Sequence, residues 1–176
     1  MNILETKRLT LRQFVPEDAA ENYRIYSDAA TMRFMGRGPG SVEAEREQIR
    51  KHIANYYDTY GFGLWAVVLK ETGRLIGRCG LLHQQIEGGI EIEVSYLLDR
   101  HYWGKGLATE AAREVVRAGF ERFKLVRIVA LIMPENTASI SVAKKIGMEY
   151  EREVAYKDFG RVAMYAIRAD DLGHRG

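Results

Sequence analysis

Glu91 and Glu93 stand two residues apart in the run IEIEVSYLL (90–98), and Gly104 and Gly106 follow, just ahead of the alanine-rich stretch LATEAA. Carboxylates at i and i+2 share one face of a strand, where they can accept a proton or hold a cation. A glycine-bearing turn into a helix has the opposite electrostatic use. The first helical turn carries unpaired N–H groups and the positive end of the backbone dipole, and glycine lets the main chain come close to an anion. An ordinary tight turn has the same pattern, so Gly-x-Gly alone does not choose between the two. A Walker loop is excluded, because it needs glycine where Asp99 stands and Ser or Thr where Gly106 stands. A dinucleotide fingerprint is excluded as well, because Thr109 occupies its third glycine position.

These groups depend on the elements that carry them. Alternation puts Glu91, Glu93 and Ser95 on one face and Ile90, Ile92, Val94 and Tyr96 on the other, which predicts a strand up to Leu98. The pattern breaks at Asp99 and resumes at helical spacing with Ala108, Ala111, Ala112, Val115, Val116, Phe120 and Phe123. Upstream, Leu9, Leu11 and Gln13 mark a first strand, and Pro16-Glu17-Asp18 opens a helix to about Ser27. Met32 to Gly40 reads as an apolar loop, with Met32 plugging the core and Phe34-Met35-Gly36 bordering a pocket. Ser41 caps a second helix with Val42, Ile49, Ile53 and Tyr56 or Tyr57 along its stripe.

Leu64 to Lys70, Leu75 toward His83, and the strand bearing Glu91 and Glu93 then form an antiparallel meander, turning at 71–74 and 87–89. Cys79 shares a face with Leu81 and reads as core, since no histidine or cation stands near it to activate a thiolate. Val126 to Met133 is apolar throughout, as a strand buried on both sides and parallel to the fourth would be. Asn136 caps a short helix with Ile140, Ala143 and Ile146 inward and Gly147 at its stop, and Tyr150 to Arg168 closes as a hairpin around Gly160. The order predicts one α/β domain over residues 1–176, with a mixed, mostly antiparallel sheet and about four helices.

A chain of 176 residues buries about 70% of its unfolded surface and needs no disulfide or metal to fold. Net charge of +2 argues against general nucleic-acid binding, which needs a concentrated basic face. The histidines, at 52, 83, 101 and 174, lack ligand spacing, so no metal is expected. The single cysteine, the charged N-terminal strand and the lack of a long apolar run predict a cytoplasmic protein with no membrane span. Either a monomer or a homodimer is compatible with this sequence.

The segment His101-Tyr-Trp-Gly104-Lys-Gly106 resembles the acyl-CoA loop of the GNAT superfamily of N-acetyltransferases, with His101 where that family has Gln or Arg. YWGKGLATEA and the opening ETKRLTLR are similar to its RimJ/RimL-like branch, the ribosomal-protein alanine N-acetyltransferases. The resemblance implies that the fourth and fifth strands are parallel and splayed, and that acetyl-CoA is the co-substrate. Its pantetheine arm would lie along the main chain of Tyr96, Leu97 and Leu98. The diphosphate would meet the amides of Trp103, Gly104, Lys105, Gly106, Leu107, Ala108 and Thr109. Lys105 either adds charge or is merely solvated, and Asn136 fits both a CoA contact and a helix cap. Glu93 stands where the branch has its strand-four glutamate and is the expected base, with Glu91 as the competitor. Ser139 matches the branch's Asn-x-x-Ser pattern, as a hydrogen-bond donor to the departing sulfur or as an early-helix backbone partner. The acceptor so implied is a primary amine, first a peptide or protein N-terminus. Small-molecule amines (polyamine, aminoglycoside or amino acid) and a non-catalytic acyl-CoA-sensing module stay open as alternatives.

Overall fold

The computed structural model describes residues 2–174. The domain expected over 1–176 exceeds this by Met1, Arg175 and Gly176, which lie outside the described residues. Strands β1 (Asn2–Glu5), β2 (Leu9–Arg12), β3 (Leu64–Leu69), β4 (Arg74–Ile86), β5 (Gly89–Leu98), β6 (Arg127–Ile132), β7 (Glu149–Ala155) and β8 (Arg161–Arg168) form one sheet. Its order is β1-β2-β3-β4-β5-β6-β8-β7, and every neighbouring pair is antiparallel except β5 and β6. The expected mixed sheet is therefore present with one strand more than predicted. β1 is four residues of mixed polarity, defined by its pairing with β2 rather than by any pattern of its own.

The helices are α1 (Ala19–Tyr26), α2 (Ala29–Met32), α3 (Val42–His52), α4 (Asp58–Tyr60), α5 (Leu107–Glu121) and α6 (Thr137–Lys145). The four expected are α1, α3, α5 and α6; α2 and α4 are single turns. Ser41 caps α3 as predicted, accepting from the Ala44 amide at 3.1 Å. On one face of the sheet, α1 and α3 cover Ala66, Leu75 and Leu97, and Met32 packs against this layer. On the other lies α5, whose Leu107, Ala111, Ala112, Val115, Val116 and Phe120 are buried in the main core with Cys79 and Leu81. Fully burying a valine, leucine or phenylalanine contributes about 1.5–3 kcal/mol each. That stripe fixes the helix against β4 and β5, and with it the position of its first turn.

Two strand relations shape the centre. β4 and β5 pair continuously from Gly77 opposite Leu98 to Ile86 opposite Gly89. β5 and β6 share one registered pair, Glu93 opposite Val129. Beyond it the edge of β5 toward β6 has no strand partner. A bulge in β4 adds to the bend, since Val67 faces Gly77 and Val68 faces Leu75, and such bulges increase local twist.

Candidate active site

The gap between β5 and β6 opens beside the start of α5. Leu97 turns its carbonyl toward β4, where a Cβ built on Gly77 would lie 2.1 Å from it. Main-chain groups alternate between strand edges, so Tyr96 and Leu98 face the gap. The Leu98 carbonyl already accepts from the Trp103 indole Nε1–H at 2.7 Å. This narrows the three-residue main-chain set expected at the end of β5: the free edge is Tyr96 and the Leu98 amide, while Leu97 contributes as a wall. The Tyr96 hydroxyl crosses the gap and donates to the Ser139 carbonyl on α6 at 2.8 Å.

The loop that follows is braced. Asp99 accepts from the His101 amide at 3.0 Å and from Arg24 Nη1 at 2.8 Å. The Trp103 amide donates to the Arg100 carbonyl at 3.1 Å, which corrects the expectation that the run of available amides begins there. Gly104 and Gly106 hold φ of +73° and +74°, a conformation that costs a side-chain-bearing residue about 1 kcal/mol or more. Gly106 offers no side chain to cap α5, and the first bond within the helix runs from the Glu110 amide to the Gly106 carbonyl at 3.0 Å. The amides of Leu107, Ala108 and Thr109 come before it and have no helical carbonyl to meet. From behind, Arg8 fixes the loop, donating from Nη1 to the Lys105 carbonyl at 2.9 Å and from Nε to Glu110 at 2.6 Å. Lys105 points its ammonium over the Tyr102 ring, 5.3 Å from the centroid.

A cavity of about 350 Å³ lies between the end of β5, the first turn of α5 and α6, and of the thirteen expected site residues all but Glu93 and Lys105 line it. Asn136 caps α6 there, accepting from the Ser139 amide at 3.2 Å.

A second cavity of about 250 Å³ shares Phe34, Met35, Tyr96, Asn136 and Ser139 with the first and contains Glu93. The pocket expected beside Phe34-Met35-Gly36 therefore exists, roofed by Phe159, whose ring lies 3.2 Å from a Cβ built on Gly36. Glu93 is 8% exposed, and Gln84 Nε2 donates to its Oε2 at 2.6 Å. Burial raises its pKa; Gln84, Lys157, Arg78 and the Leu131 main chain pull it back only in part, leaving it at about 7. Glu93 can thus gain or lose a proton near neutrality. Glu91 is otherwise engaged, its Oε2 3.1 Å from Arg127 Nε, while the same guanidinium holds Glu151 at 2.7 Å. Cys79 is fully buried in the core, which pushes its thiol up and away from reactivity. Among the described residues no group of three or more His, Cys, Asp or Glu is placed to hold a metal, and no helix is long and apolar enough to cross a membrane.

Sequence reasoning missed Gln84, Arg78, Tyr156, Lys157, Phe159 and the hydroxyl of Tyr96. Gln84 had a signal: the turn at 87–89 sets it opposite Glu91, hence diagonal to Glu93. The others reach the cavity through tertiary packing.

Residues 8–149 match the family described as acetyltransferase (GNAT) domain. The chain belongs to the GNAT acetyltransferase family. It is 36% identical over 152 residues to YkkB of Bacillus subtilis, covering 86% of this chain and 87% of that one. It is 32% identical over 151 residues to the N-acetyltransferase p20 of Bacillus licheniformis, covering 86% and 84%. The solved structure of RimL, a ribosomal L7/L12 alpha-N-protein acetyltransferase in complex with coenzyme A, superposes with a TM-score of 0.82. That match covers 97% of this chain and 99% of the other at 17% identity, a likeness of fold. This GNAT protein is an N-acetyltransferase that takes its acetyl group from acetyl-CoA and delivers it to an amine. The first cavity suits that co-substrate: left-handed glycines and uncapped first-turn amides match a diphosphate, and an unpaired strand edge matches an amide-bearing arm.

Proposed function

We propose that this GNAT enzyme acetylates the α-amine of a peptide or protein N-terminus, as a member of the RimJ/RimL-like branch, with Glu93 taking the proton. The supporting observation is the buried Glu93 carboxyl, held at about 7 inside the second cavity. An α-amino group titrates near 7.7–8.0 and an aliphatic side-chain amine near 10.4. Passing a proton to a base near 7 costs about 1 kcal/mol from the first and about 4–5 kcal/mol from the second. Glu93 is therefore matched to an α-amine, whereas a polyamine or lysine amine needs further help. The branch resemblance of ETKRLTLR and of Asn136-x-x-Ser139 points the same way. The RimL likeness supports the fold and leaves the acceptor to the site itself.

Acetyl-CoA supplies an activated thioester. The amides of Gly104 to Thr109 bind its diphosphate, Lys105 adds charge at the rim, and Asn136 contacts it beside the α6 cap. The edge of β5 at Tyr96 receives the pantetheine arm and donates to the carbonyl oxygen that gains charge during attack. Glu93 takes the proton that the α-ammonium must lose before its nitrogen can attack, and the second proton, released as that nitrogen bonds to the acetyl carbon, goes with the CoA sulfur as the carbon–sulfur bond breaks. The departing thiol has an ordinary pKa of about 8.5 and needs little help, so the Ser139 hydroxyl is sufficient as a hydrogen-bond donor to sulfur.

Thiol release from acetyl-CoA, measured against a free-N-terminal peptide, the same peptide N-blocked with its lysine free, spermidine and an aminoglycoside, tests the acceptor. The free peptide should give the highest kcat/KM, with the blocked one at least roughly 100-fold lower. Faster turnover of spermidine or the aminoglycoside would overturn it.

A further inference from the structure

The cavity that contains Glu93 also contains a guanidinium that the fold leaves without an ion pair. Arg78 lies on β4 with Ala66 and Leu97 opposite it in the neighbouring strands, and its half-buried side chain lines the cavity. Arg12, Arg24 and Arg127 each hold a carboxylate, Asp18 at 2.7 Å, Asp99 at 2.8 Å and Glu91 at 3.1 Å. Arg78 makes no such pair among the described residues. Its guanidinium instead lies against the buried Tyr26 ring, with Cζ 4.9 Å from the centroid. Two acids feel its charge without pairing with it: Glu93, which lines the same cavity, and Glu45, buried and hydrogen-bonded to Asn22 Nδ2 at 2.6 Å.

Sheltering a charge without a partner is costly, and such a charge is commonly matched by what binds there. The charged lining of the cavity is Arg78, Lys157 and Glu93, so once Glu93 holds a proton the walls are purely cationic. Contact with Tyr26 restrains the guanidinium, and arginine grips a carboxylate through parallel N–H groups when it is so held. We propose that Arg78 binds a carboxylate of the acceptor, setting the acceptor's amine at Glu93. The preferred acceptor is then an α-amine with a carboxylate a few bonds away. Two sources share that chemistry: the side chain of an acidic residue at the first or second position of a peptide, or the main-chain carboxylate of a free amino acid. The inference rests on the α-amine reading above.

The test compares isosteric acceptors in wild type, Arg78→Met and Arg78→Lys. C-terminally amidated peptides with Asp or Asn at position one or two probe the side-chain source. A free amino acid against its amide probes the main-chain source. Wild type should favour the carboxylate member of one such pair by roughly 10- to 100-fold in kcat/KM, the range expected for charge-assisted hydrogen bonds. Arg78→Met should bring that ratio close to unity, and Arg78→Lys should keep part of it. Thermal unfolding and acetyl-CoA binding of each variant separate a misfolded chain from an altered preference, and the ratio is read on whichever variant remains folded. Equal use of both members of every pair by wild type, or a ratio that survives Arg78→Met, overturns the proposal while the α-amine reading stands. Failure of every α-amine acceptor overturns both.

Discussion

Replacing Glu93 by glutamine should make the fold more stable and the enzyme inactive, and both effects follow from one desolvated carboxyl. The group sits at about 7 in the fold against an ordinary value of 4.5. An acid whose folded pKa is raised keeps its proton longer in the folded chain than in the unfolded one. Stability is then highest below 4.5, falls between 4.5 and about 7, and is constant above. At about 1.4 kcal/mol per pKa unit, the wild type gives up about 3 kcal/mol across that window. Glutamine has nearly the same shape, can accept the Gln84 hydrogen bond and does not titrate. Urea unfolding of both proteins at pH 5 and pH 8 isolates the effect, because other titrating groups cancel in the difference. The variant's advantage should be small at pH 5 and approach about 3 kcal/mol at pH 8. In parallel, kcat/KM should fall by roughly 10²- to 10⁴-fold with acetyl-CoA binding retained, and the wild-type rise in rate through pH 7 should vanish. A stability gap that is the same at both pH values would show that Glu93 is already ionised in the fold at pH 5. Wild-type turnover by the variant would remove it from the chemistry altogether.

Gly106→Ala places a Cβ at φ of +74° with Arg8 Nη2 3.7 Å away, so strain rather than a clash reshapes the loop. Calorimetry should show acetyl-CoA binding weakened roughly 5- to 30-fold, for about 1–2 kcal/mol of left-handed strain, and unchanged affinity would remove this turn from the binding site. Asp99→Asn loses a carboxylate for which burial favours protonation but which the His101 amide, Arg24 and the His101 ring together hold at about 2. A lowered carboxyl pKa stabilises the fold above the unfolded value and loses that contribution as pH falls through the folded one. The variant should therefore unfold about 2 kcal/mol more easily near neutrality, with the gap closing from about pH 4 toward pH 2; a gap that persists at low pH would mean the ion pair is not its source.

What was legible in the chain follows from where each signal lives. The α5 stripe, the caps at Ser41 and Asn136, and the meander turns are local, and the structure has them where residue type and spacing put them. β1 was not legible because only its pairing with β2 distinguishes four such residues from a tail. Glu91 and Glu93 could not be told apart, since alternation puts both on one face; the difference is Arg127, delivered by the parallel neighbour β6. The register of that neighbour rests on the single pair Glu93–Val129. One pair of residues thereby sets two properties at once. Pairing that goes no further leaves the later edge of β5 open for an amide-bearing ligand. It also places Glu93 at the apex of the opening, with strands on both sides and a cavity in front, and that position produces the desolvation that raises its pKa. A register shift of one residue between β5 and β6 would turn Glu93 away from Val129 and bring a different β5 residue to the apex, without altering any local pattern in the sequence.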